Sequence, residues 1–158
     1  MLCIAVLEHL FINTITMYRF IAILLAFGLS FPLLAQNSDL TVTVSEIKSK
    51  HQGALVFMLF QTEDGFPMEK EKVFKMAKVE KTADQVSYTF KDVPKGTYAV
   101  SVFLDKNGNG TADRNMIGIP KELVGASNMT KLGKPTYKKS SFQMNGANKS
   151  LQLKFING

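Results

Sequence analysis

The chain has 158 residues, a formal net charge of +6, 46% hydrophobic residues, one cysteine, two histidines and no tryptophan. That length allows one domain with its own core once an N-terminal leader is set aside, and the cysteine and histidine counts exclude a disulfide framework, a thiolate metal site and a histidine-rich centre. The charge is uneven, with eleven basic and eleven acidic residues over 36–120 but seven lysines against Glu122 alone over 121–158; this end lacks the arginines and the wealth of aromatics that nucleic-acid readers favour, so solvated lysines and no nucleic-acid partner are expected.

Arg19 precedes an apolar run over 20–29, followed by Ser30-Phe31-Pro32-Leu33-Leu34-Ala35 and the polar Gln36-Asn37-Ser38-Asp39. A positive region, a short apolar region and a small residue at the cut make 1–35 a signal peptide, which predicts export to the periplasm or exterior. Met17 stands where such a peptide ordinarily starts, so 1–16 reads as a start-site extension, with a long signal or signal anchor as the other reading. Cys3 falls in the leader and Glu8 and His9 break its apolar pattern, so the mature 36–158 domain is expected to have no thiol and no membrane span.

Leu40-Thr41-Val42-Thr43-Val44 alternates with period two and predicts the opening strand. After His51-Gln52-Gly53, the continuous apolar run Ala54-Leu55-Val56-Phe57-Met58-Leu59-Phe60 predicts a central strand buried on both faces. A charged connection with Gly65 and Pro67 leads to 73–79, where apolar residues and lysines alternate. That stretch reads as a strand, with a helix over 68–81 as the alternative.

Val86, Tyr88 and Phe90 alternate with polar residues, and after Asp92-Val93-Pro94-Lys95-Gly96-Thr97 the pattern continues through Tyr98, Val100, Val102 and Leu104. These predict two antiparallel strands joined by a tight connection. Strands over 141–144 and 151–155 flank Asn145-Gly146-Ala147-Asn148, a hairpin signal. About seven strands with at most one helix predict an all-β, antiparallel β-sandwich. The interval 105–139, rich in Gly, Asn, Lys and Pro, is the exception, and an aperiodic connection of that length points to function.

That interval opens with Asp105-Lys106-Asn107-Gly108-Asn109-Gly110-Thr111-Ala112-Asp113. Asp105, Asn107 and Asn109 hold the first, third and fifth positions of a calcium loop, Gly110 the sixth, the Thr111 carbonyl the seventh and Asp113 the ninth. The twelfth position, where an EF-hand carries a bidentate glutamate, is Met116, and no helix pair flanks the loop. The expectation is therefore a calcium site outside the EF-hand class, with affinity of the order of ~10⁻⁴ to 10⁻³ M. The alternative is a turn in which Asp and Asn bond their own backbone.

No Gly-x-Ser-x-Gly elbow, phosphate loop or dinucleotide fingerprint is present in 36–158. His51 reads as a solvated turn residue, and the acids Glu63, Asp64, Glu69 and Glu71 as a charged surface. Tyr98, Phe103 and Tyr137 are candidates for a ligand groove, although alternation puts Tyr98 and Phe103 on opposite sheet faces. A non-enzymatic binding or structural module follows, a monomer with an unidentified envelope or extracellular ligand. The alternative is an enzyme or enzyme accessory acting on cell-surface polymer, with Asp105 or Asp113 as the working acid beside Lys121 or Tyr137.

The segments 40–47, 53–60 and 93–100, Phe103-Leu104-Asp105-Lys106-Asn107-Gly108-Asn109-Gly110, Gly118-Ile119-Pro120-Lys121-Glu122 and Gly125-Ala126-Ser127-Asn128 together resemble a family of small exported bacterial proteins, domain of unknown function 2141. The resemblance covers nearly all of 36–158 and implies compartment and fold rather than an activity. The Pro94-Lys95-Gly96-Thr97-Tyr98 turn and strand also resemble prealbumin-like, Ig-like and carboxypeptidase-regulatory-like sandwiches. The acidic loop is similar to calcium loops of surface-adhesin B-type repeats, which usually carry an acid where Asn109 stands.

Overall fold

The computed structural model describes residues 37–155 except 49, 51, 82, 118 and 130–132. The expectations for the 1–35 leader, Cys3 and His51 lie outside the described residues. The strands are β1 (Ser38–Val44), β2 (Ala54–Phe60), β3 (Lys75–Glu80), β4 (Val86–Val93), β5 (Gly96–Asp105), β6 (Val124–Ala126), β7 (Ser141–Met144) and β8 (Lys149–Leu153). A three-stranded sheet runs β4-β1-β8, and a five-stranded sheet runs β3-β2-β5-β6 with β7 also on β5. The all-β sandwich is present, with eight strands rather than about seven. Among the described residues helix is confined to a 3-10 turn at Lys70–Lys72 and one turn, α1, at Tyr137–Ser140.

Each strand follows from its side-chain pattern. In β2 all seven residues are buried. Leu55, Phe57 and Leu59 enter the core between the sheets, whereas Val56, Met58 and Phe60 enter a second cluster on the outer face of the large sheet. The sandwich core adds Leu40, Val42 and Val44 from β1, Phe90 and Val93 from β4, and Tyr98, Val100, Val102 and Leu104 from β5. Alternation in 75–80 places Lys75, Ala77 and Val79 on the less exposed side of β3, so the strand reading of this stretch holds.

Three local expectations change. The tight connection at Pro94 joins strands of different sheets, β4 pairing with β1 and β5 with β2. The 145–148 turn is likewise a crossing, because β7 pairs with β5 while β8 pairs with β1. The β1–β8 pair is parallel, unlike the other strand pairs, since the first and last strands run the same way across the small sheet. In each case the apolar face of the strand joins the core from a different sheet than its neighbour in sequence, and burial outweighs the local turn signal.

The interval 105–139 is not wholly irregular. It contains β6, whose three residues are buried and pair with Ser101, Val102 and Phe103 of β5. Buried Ser127 then donates from Oγ to the Ser140 carbonyl (2.6 Å) and accepts from the Val100 amide (2.9 Å), tying the end of β6 to β5 and α1.

Gly53 precedes β2 with φ +123°, and a Cβ there would stand 2.3 Å from the Asp105 carbonyl oxygen at the end of β5. Gly53→Ala combines left-handed backbone strain with a backbone collision. It should cost about 3 kcal/mol or more in urea unfolding, and a loss within a few tenths of a kcal/mol would mean that the two ends are not held this close.

Candidate functional site

β5 ends at Asp105, and the chain turns at once into the 106–113 loop on the large-sheet side. Asp105 is buried, its side chain fully so. Oδ2 accepts from Lys78 Nζ of β3 at 2.8 Å and from the Gly110 amide at 3.0 Å. Oδ1 is buried and has no hydrogen-bond partner. Burial, the largest single influence, would push this carboxyl up; the Lys78 hydrogen bond and charge, with the Gly110 and Gly108 amides, outweigh it and hold it below its ordinary value. Asp105 in turn holds the Lys78 ammonium above its ordinary value.

The alternating side chains converge on Asp113. Asn107 Nδ2 donates to its Oδ2 (2.8 Å) and Asn109 Nδ2 to its Oδ1 (3.2 Å). The two amide oxygens turn back on the backbone, Asn107 Oδ1 accepting from the Asn109 amide (3.2 Å) and Asn109 Oδ1 from the Thr111 amide (2.8 Å). These are the Asx turns that short polar side chains form with the residue two ahead. Gly108 and Gly110, at φ +78° and +71°, supply the left-handed backbone between them.

A residue that sequence reasoning did not place at the site braces the loop from below. Glu122 is buried; its Oε1 accepts from the Lys106 amide (2.9 Å) and its Oε2 from the Asp113 amide (3.4 Å), clamping the two ends of the loop together. Its signal in the sequence is its isolation as the one acid of 121–158. Among the described residues no three histidine, cysteine, aspartate or glutamate side chains form a cluster able to hold a metal. A cation here would therefore draw on the Asp105 and Asp113 carboxylates, the Asn107 and Asn109 amide oxygens and the Thr111 carbonyl.

The aromatic candidates do not form an open groove. Tyr98 is fully buried in the sandwich core and Phe103 almost fully in the outer cluster, on opposite faces as alternation requires. Tyr137 covers the outer cluster, edge-on to Phe66 with ring centroids 6.0 Å apart. Its hydroxyl lies 2.8 Å from the Gln61 carbonyl and 3.0 Å from the Thr97 carbonyl, and its one proton serves these acceptors. Lys121 meets the loop through its backbone, its amide donating to the Asp113 carbonyl at 2.9 Å.

The pH dependence follows from Asp105. A carboxyl that titrates lower in the folded chain than in the unfolded one contributes stability that is present above about pH 4 and is lost as pH falls through the folded value. Lys78→Met removes the counter-charge and leaves burial as the dominant influence, which raises that folded value, so the variant should be less stable at neutral pH and lose less stability than the wild type as pH falls. Thermal melts between about pH 7 and about pH 2 check this, and superimposable profiles would remove the ion pair from the loop's energetics.

No match was found among curated proteins or solved structures. Residues 42–152, from β1 through the loop to β8, match the family described as "Uncharacterized protein conserved in bacteria (DUF2141)", so the chain belongs to that family.

Proposed function

We propose that the protein is an exported, non-enzymatic β-sandwich module in which a calcium ion in the 105–113 loop organises the following segment into a binding surface. The observation that carries this reading is Asp105 Oδ1, a buried carboxylate oxygen without a hydrogen-bond partner. Leaving such an acceptor unmet costs free energy, and a hard cation is the group that satisfies it best. Asn107 and Asn109 each spend one amide-oxygen lone pair on a backbone N–H and keep the second for a cation. Two carboxylates and a competing Lys78 ammonium make the affinity low, in the range of extracellular calcium modules.

The non-enzymatic part rests on how the acids are used. Asp105 is held in its charged form by Lys78 and two amides, which makes it a poor proton donor near neutral pH. Asp113 and Glu122 are engaged with the loop's own amides. Export rests on the 1–35 leader, with Arg19, the apolar 20–29 run and Ala35. Among the described residues no helix is long and apolar enough to cross a membrane.

At a dissociation constant near ~10⁻³ M, about 10 mM calcium stabilises the folded chain by about 1.4 kcal/mol, a rise of about 5 °C in melting temperature. Asp113→Ala should abolish that rise while leaving the fold intact. Calorimetric titration of chelator-treated protein checks it: no heat and no shift in melting temperature at millimolar calcium would end the metal reading. Turnover of a cell-wall or capsule polymer that disappears in Asp113→Ala would instead establish the loop as catalytic.

A further inference from the structure

Beyond Asp113 the chain makes a small, tightly braced projection. Arg114 and Pro120 form an isolated antiparallel bridge, and the Lys121 amide donates to the Asp113 carbonyl. Within it the Asn115 amide donates to the Ile119 carbonyl (2.9 Å), while Asn115 Oδ1 accepts from the Ile117 amide (3.1 Å) and the Ile119 amide (2.8 Å). The side chains at its tip face water: Met116 is 105% exposed, Ile117 78% and Ile119 54%. These are the three most exposed of the large hydrophobic residues among those described. Three such side chains on one hydrogen-bonded turn mark an interaction surface rather than scattered surface apolarity.

We propose that this tip inserts into the headgroup region of an anionic phospholipid bilayer. A bilayer interface accepts exposed apolar side chains to a depth of roughly 5–10 Å without needing a matching pocket. The base of the tip is cationic: exposed Arg114 and Lys121 flank the tip, and 114–121 contains no acid. Arg114 Nε also donates to Met68 Sδ (3.3 Å), which holds the guanidinium against the outer face of the large sheet. The acids on either side are half-buried Asp113, which accepts from Asn107 and Asn109, and buried Glu122, which accepts from amides at the ends of the loop, so the exposed charges beside the tip are Arg114 and Lys121. Lysine and arginine at the rim of an inserted apolar tip are attracted to a negatively charged headgroup layer. The proposal rests on the reading that the 105–113 loop presents the following segment, and it names the partner.

Co-sedimentation of the full chain with vesicles of phosphatidylcholine containing phosphatidylglycerol, against pure phosphatidylcholine, tests it with and without calcium. Because 20–29 is itself apolar, the variants carry the result. Ile117→Asp and Met116→Asp should each weaken partitioning on the order of tenfold, and Arg114→Glu with Lys121→Glu should remove the preference for the anionic vesicles. Both sites are exposed, so melting temperatures should stay at the wild-type value. Equal pelleting of Ile117→Asp and wild type overturns the proposal, as does a wild-type dimer in light scattering that Ile117→Asp dissociates, which would assign the tip to a second copy. Failure of the calcium reading shows in the melting temperature, whereas failure of this one shows in the pellet.

Discussion

The two-sided burial of β2 is the constraint from which the rest of the architecture follows. A strand whose odd residues, Leu55, Phe57 and Leu59, fill the sandwich core and whose even residues, Val56, Met58 and Phe60, face the other way cannot leave that second face to water. Each buried side chain of this size contributes on the order of 1.5–3 kcal/mol, so the outer face demands a cover of its own. The cover is made from connections. Phe66, Met68 and Val73 come from the charged segment after β2, Ala112 and Val124 from the interval after β5, and Tyr137 from α1. The Ser101 hydroxyl on the Pro67 carbonyl fastens the first of these to β5.

This cover explains why a polar, glycine-rich loop stands at the end of β5. The chain leaves the strand at Asp105 and must double back across the large sheet before it can pair again as β6. The reversal buries a carboxylate, and desolvating a charge is tolerated only when it is paired and hydrogen-bonded. Lys78 supplies the counter-charge from β3, two strands away, and the Gly110 amide the hydrogen bond. Glu122 closes the loop from the far side by accepting an amide at each end. The loop is thus fastened both to β3, through Lys78, and to the segment leading into β6, through Glu122.

Much of the fold was legible in the residues. Thr41 and Thr43 between Leu40, Val42 and Val44 announced a half-buried strand, and the unbroken 54–60 run announced a central one, because period and continuity report how many faces are covered. The partner of each strand was not legible. Pro94-Lys95-Gly96 and Asn145-Gly146 specify a reversal of direction but not whether the returning strand stays in its sheet, and here both cross over. β6 is three residues long, too short for a period, and exists because Ser101, Val102 and Phe103 offer an open edge. Within the candidate site, Asp105, Asn107, Asn109 and Asp113 were readable from spacing alone, and the turn chemistry expected of them is present. Lys78 and Glu122 were not, because Lys78 lies 27 residues before Asp105 and meets it only across the sheet, and Glu122 reaches the Lys106 and Asp113 amides from beyond the loop.

The sequence by itself determined the all-β class, the faces of the principal strands, the position of the polar loop and the family, since each depends on local period, composition or motif. The tertiary structure decided the sheet memberships, the parallel β1–β8 pair, the counter-charge on Asp105, the clamp by Glu122 and the exposure of Met116, Ile117 and Ile119. Those outcomes depend on which distant segments compete to cover the same apolar surface. A local pattern records that a face is apolar, but not what will be laid against it.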